Sequence, residues 1–165
     1  MSYWPFGTEA DIGQRVYGSS IEQIFRDHHA GMMSILIDKN IKSKEINETF
    51  SSEFSLSIPV NESGENYDLL LVMFLEEVLF KLEVDDQWIY DVKLRIKEAD
   101  DFLICEGIFY YIPKELASIE VEIKAITSHM LHITKVKDKE EIIPEIADIP
   151  SFTGPGYYSD VVFDI

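Results

Sequence analysis

Apolar and polar residues change their period several times along this chain, and each change marks an element. Tyr3 to Gly13 is aromatic and turn-rich without a regular period. Arg15-Val16-Tyr17 reads as a short strand closed by Gly18. Ser20 followed by Gln23 forms a capping box, whose side chains satisfy backbone N–H groups that a first helical turn leaves free. Beyond it Ile21, Ile24, Phe25, His28, Met32, Ile35 and Leu36 recur at helical spacing and make one apolar stripe. His28 lies on that stripe and reads as a hydrogen-bonded core residue, and His29 points about 100° away from it, so the pair does not suit one metal.

Asp38 to Glu48 is a polar connection, and Phe50 to Val60 alternates around Phe54, Leu56 and Ile58 as a half-exposed strand does. Asn61 to Asn66 is turn-rich. Tyr67 to Leu82 is apolar on nearly every side, with Glu76, Glu77 and Lys81 as exceptions. Its length predicts a helix, and its composition a central one covered by sheet or other helices. Trp88–Ile96 and Phe102–Tyr110 predict a hairpin around Glu98 to Asp101, before a break at Ile112 to Glu115. Ile119 to Thr127 alternates cleanly with Lys124 in the outward set, and the pattern runs on through Met130, His132 and Thr134. Residues 137–156, rich in proline and glycine, predict a long surface loop. The chain closes on Tyr157 to Ile165, β-branched and aromatic like a buried strand. Two helices and about six strands, largely hairpin-connected, predict a single α+β domain over 1–165, a mixed β-sheet packed on two main α-helices.

Charge narrows the partners. Fourteen basic residues stand against 31 acidic ones, a net −17, so direct binding to nucleic acid or an anionic membrane is not expected, whereas a cation or a basic protein is. The lone cysteine, Cys105, forms no internal disulfide and suits a reducing compartment. The first residues carry no signal-peptide pattern, and the longest apolar run, Leu69 to Leu75, is far short of a membrane span. A cytoplasmic protein is expected.

No phosphate-binding glycine loop, nucleophile elbow or paired-cysteine zinc motif is present in the sequence. Lys124 and His129 are close enough along the chain for an acid–base pair, although a strand lysine in so acidic a chain is commonly a solvated counter-charge. Asp11 lies before the first strand, where a short acidic side chain either ligates an ion or accepts N–H groups of its own turn. Asp164 and the α-carboxylate of Ile165 are two oxygen groups one residue apart, half of a hard-cation site or the solvated end of an edge strand.

Three stretches together resemble one family. Ala10-Asp11-Ile12-Gly13 with Tyr17-Gly18 and the capped helix, Glu122-Ile123-Lys124-Ala125-Ile126-Thr127-Ser128-His129 with Leu131, and the closing Val161-Val162-Phe163-Asp164-Ile165 are similar in order and spacing to the archease motifs. The resemblance implies a metal-binding protein cofactor, not an enzyme. Such a protein promotes guanylylation and multiple turnover of the RtcB-type tRNA-splicing ligase, which joins cyclic-phosphate or 3′-phosphate RNA ends to 5′-hydroxyl ends using GTP and Mn²⁺. It further implies Asp11, Asp164 and the terminal group of Ile165 as ligands of a divalent cation, Ca²⁺ foremost with Mg²⁺ or Mn²⁺ as alternatives. Lys124 and His129 would serve partner contact and activation. Thr8 and Glu9 stand where the family has His-Thr, Ser128 where it has an aromatic, and Met73-Phe74 where it tends to Asp-Trp. A cation-binding, chaperone-like module with other protein clients is the alternative role.

Overall fold

The aromatic N-terminal stretch is itself a strand. In the computed structural model, which describes residues 2–37, 48–61 and 66–165, β1 (Tyr3–Gly7) pairs antiparallel with β2 (Asp11–Gly18). Pro5 and Gly7 hide β1 from a pattern search, and of its five residues Phe6 alone is buried. β2 extends further than Arg15 to Tyr17 because Thr8 closes the hairpin at Asp11: its hydroxyl accepts from the Asp11 N–H and donates to the Asp11 carbonyl, both at 3.1 Å.

α1 (Ile21–Leu36) starts where expected, with the Ser20 hydroxyl accepting from Gln23 N–H at 3.2 Å. The returning bond of the box lands one residue earlier, from Ser19 N–H to Gln23 Oε1 at 2.9 Å. β3 (Phe50–Pro59), α2 (Tyr67–Glu83), β4 (Gln87–Ala99) and β5 (Phe102–Pro113) follow, and a 3-10 turn at Lys114–Leu116 precedes β6 (Ala125–Val136). β7 (Glu141–Ile142), β8 (Phe152–Thr153) and β9 (Gly156–Asp164) complete the chain. Most of the predicted connection at 38–48, and the middle of the turn at 61–66, lie outside the described residues.

The α+β class holds, with the strands in two main sheets rather than one. Four strands order as β1-β2-β9-β6, three as β3-β5-β4, and β7 pairs with β8 in a ribbon; every one of these pairings is antiparallel. The helices lie between the sheets: α1 packs on β1, β2, β9 and β4, and α2 on β6, β3, β4 and β5. Phe74 of α2 marks the centre, with ring centroids of Phe25, Phe54 and Phe109 at 5.6, 6.0 and 6.2 Å.

Three expectations change. The strand predicted from Ile119 begins only at Ala125, since the preceding residues are drawn to the end of α1: Glu120 N–H donates to the Leu36 carbonyl at 2.9 Å, and Ile119 bridges Ile37. α2 is not covered all round, for Leu69, Phe80 and Val84 are 52, 51 and 60% exposed. The stretch at 137–156 contains the β7–β8 ribbon and is tied down. Ile149 is buried with Phe6 and Tyr17, the Tyr17 hydroxyl donates to the Pro150 carbonyl at 2.8 Å, and the Tyr17 and Phe152 rings stack at 4.9 Å.

His28 is the core residue expected of it. Gln14 Nε2 donates to its Nδ1 at 2.8 Å, leaving Nε2–H to donate to the Ser159 hydroxyl at 2.8 Å. His29 Nε2–H donates to the Ile89 carbonyl at 2.9 Å. Burial lowers His28 to about 3 and His29 to about 4, so both rings stay neutral where the unfolded chain already binds protons. Stability is then full above about pH 6.5 and falls as pH drops below it, by about 2 kcal/mol per histidine at pH 5. Urea unfolding at pH 7.5 and 5 measures this, and a flat profile across that window would exclude it.

Candidate metal centre

Antiparallel register brings the two predicted aspartates together. Asp11 opens β2, Asp164 closes β9, and the two are direct cross-strand partners. Opposed residues of such a pair share a face, with Cβ atoms about 4.5–5.5 Å apart. The face is the one turned away from the helices: Ser159, on the other set of β9 positions, meets His28 of α1, and Phe163 joins the central core. Both aspartates are half-buried.

Asp11 had two open readings, and Thr8 decides between them in part. The Thr8 hydroxyl, not the Asp11 carboxylate, accepts the N–H of this turn. Lys124 comes to the same corner. Its N–H donates to the Asp164 carbonyl at 2.8 Å, and its ammonium donates to the Ile165 carbonyl oxygen at 3.4 Å. Asp11, Asp164, Ile165 and Lys124 therefore meet at one end of the four-stranded sheet.

His129 sits elsewhere on β6. Between Thr127, opposite Val162, and His132, opposite Asp160, five steps along β6 face two along β9, so Ser128 to Leu131 bulge from the sheet. Met130 within the bulge takes a positive φ of 57°. His129 is exposed there, its N–H donating to the Thr127 hydroxyl at 3.3 Å. Among the described residues no hydrogen bond joins Lys124 to His129.

The donor set suits a hard cation. Two carboxylates across a strand pair are oxygen ligands, as Ca²⁺, Mg²⁺ and Mn²⁺ prefer. Among the described residues no three His, Cys, Asp or Glu side chains cluster closely enough to hold a metal. Side chains alone thus offer two carboxylates as ligands here. Cys105 offers none: it is fully buried, and burial pushes its thiol up to about 12.

Sequence reasoning missed a second charged group on the same face. Arg15 lies opposite Asp160, and Asp160 opposite His132. Arg15 grips the carboxylate with two hydrogen bonds, Nε to Oδ1 and Nη2 to Oδ2, the latter at 2.8 Å. His132 Nε2 is 3.0 Å from Oδ2, and its Nδ1 is 2.8 Å from the Thr134 hydroxyl. The guanidinium lies over the Tyr158 ring at 5.0 Å. Burial pushes the Asp160 carboxyl up, but the hydrogen bonds from His132 and Arg15 outweigh it and hold the group below the usual carboxylate range. Burial likewise opposes the charge on Arg15, and Asp160 more than restores it. Only register could reveal this cluster, since one partner comes from the second strand and the other from the last.

Among the described residues no helix is long and apolar enough to cross a membrane. The model of the archease protein family matches residues 3–165. "Protein archease" of Methanosarcina acetivorans is 31% identical over 144 residues, covering 83% of this chain and 90% of the relative. "Protein archease" of Pyrococcus furiosus is 27% identical over 143 residues, covering 83% and 93%. The solution structure of Methanobacterium thermoautotrophicum protein 1598 superposes with a TM-score of 0.64 over 99% of both chains, and at 24% identity it bears on the fold alone.

Proposed function

The chain belongs to the archease family, and we propose that it is a divalent-cation-binding protein activator of an RtcB-type tRNA-splicing ligase rather than an enzyme in its own right. The observation that carries this reading is the alignment of Asp11 with Asp164 across β2 and β9, with Lys124 reaching the Ile165 oxygen beside them. Asp11, Asp164 and the Ile165 terminal group would hold the ion. A bound divalent cation would supply positive charge and open coordination positions toward an oxygen of the partner or its nucleotide.

The chain's own residues prepare that corner. Thr8 closes the turn at Asp11, so its carboxylate is free of that duty, and the Lys124 backbone fixes the end of β9. The Arg15–Asp160 pair locks β2 to β9 further along the same face. A net charge of −17 steers the protein toward a basic, RNA-binding partner and disfavours its competing for the RNA itself.

The test is a multiple-turnover ligation assay with the cognate ligase, a cyclic-phosphate RNA, GTP and Mn²⁺, with this protein added below stoichiometry. Strong stimulation of turnover and of ligase guanylylation is expected. A folded protein that binds cations but leaves both rates unchanged would overturn the ligase role and favour a cation-binding, chaperone-like module with other clients.

A further inference from the structure

The exposed side of α2, with Val84 just past its end, is largely apolar and is broken once, by Glu76. Leu69, Met73, Phe80 and Val84, with Glu76 between them, fall at helical spacing on one side, while Leu70, Leu71, Phe74, Leu75, Val78, Leu79 and Leu82 are buried on the other. Leu69, Phe80 and Val84 are each more than half exposed. Scattered exposed apolar residues need no explanation, but a line of them along one helix does. Its surroundings are acidic: Asp68, Glu77 and Glu83 of α2 flank it, and Asp85 and Asp86 follow the helix end. The nearby cations are engaged, Lys81 with Asp85 at 3.1 Å and Lys114 with Glu83 at 3.9 Å.

We propose that this face of α2 docks a basic amphipathic helix of another protein. Apolar side chains at i, i+4, i+11 and i+15 are the anchors by which one helix receives another, and the acidic rim selects lysine and arginine flanks on the incomer. A second copy of this chain would bring acidic rim against acidic rim, and an anionic membrane would be repelled by the same charges. The line belongs to α2, whereas Asp11 and Asp164 lie on β2 and β9, so the proposal goes beyond the cation-dependent role and does not rest on it.

A synthetic amphipathic Leu/Lys helix, titrated into the intact protein and followed by backbone amide NMR, tests the assignment. Perturbed amides should concentrate in α2 between Leu69 and Val84. The double variant Leu69→Gln/Phe80→Gln should bind about tenfold more weakly with its circular dichroism unchanged, and Glu76→Lys/Glu83→Lys should weaken binding as well. A Ser/Lys peptide of equal charge should bind about tenfold less tightly than the Leu/Lys helix. Equal affinity for the two peptides, equal binding by the glutamine variant, or perturbations centred elsewhere on the acidic surface would each overturn the proposal. So would self-association in sedimentation velocity that Phe80→Gln abolishes, since that would assign the face to a second copy.

Discussion

Replacing Asp164 or Asp11 with Ala should reduce stimulation of the ligase by about 100-fold or more while leaving the fold in place. Neither carboxylate is part of the core, and the two face each other as like charges across β2 and β9. In metal-free buffer both variants should therefore be at least as stable as the parent, because each removes a repulsion. Added Ca²⁺ or Mn²⁺ separates the proteins. At a hundredfold excess over its dissociation constant a cation stabilises the parent by about 2.7 kcal/mol, and neither alanine variant should gain that increment. Thermal unfolding with and without cation reads the binding, and the ligation assay reads the consequence. Full stimulation by both variants would end the cation-dependent reading, whatever their unfolding curves show.

Asp160→Ala should cost about 3–5 kcal/mol, a large part of the 5–15 kcal/mol that holds a typical domain together. It strands the Arg15 guanidinium, whose side chain is 11% exposed, without its bidentate partner. Removing both ends together tests the cause. Arg15→Met/Asp160→Leu should recover most of the loss, because a paired buried charge contributes little beyond an apolar pair of similar volume. If the double variant is as unstable as Asp160→Ala, the cost lies in packing around Tyr158 and not in the uncompensated charge. The acid behaviour stays separable. Asp160 is held below its ordinary range, so its contribution is present above about pH 3.9 and is lost as pH falls through its lower folded value. Losses that set in near pH 6.5 belong to His28 and His29 instead.

Period and capping told the truth where one element made its own bonds. The stripe from Ile21 to Leu36, the hairpin around Asp100 and Asp101, and the apolar closing strand all appear as expected. Ile119 to Ile123 shows where period is not enough: it alternates like a strand, but its backbone is drawn to the end of α1, which no local pattern announces. α2 fails in a related way. Hydropathy places it among other elements, but cannot say that two sheets and a helix leave one side open. For the candidate site, the resemblance pointed to Asp11, Asp164, Ile165 and Lys124, and the register explains how residues so distant in sequence reach one corner. His129, close to Lys124 in sequence, falls in the bulge of β6, and among the described residues no hydrogen bond joins the two. Arg15 and Asp160 carried no local signal, because a charged residue within a strand reads as solvated until its partner strand is known.

β9 follows the other described strands along the chain, yet it lies between β2 and β6 rather than at the margin of its sheet. While the ribosome is still making it, the β1–β2 hairpin and β6 have no common neighbour, and each offers an unpaired edge to any other chain nearby. Folding of this half therefore waits for β9 to be made. A premature stop just before β9 would leave a gap in the middle of the four-stranded sheet, and quality control should clear the product as it would a much shorter fragment.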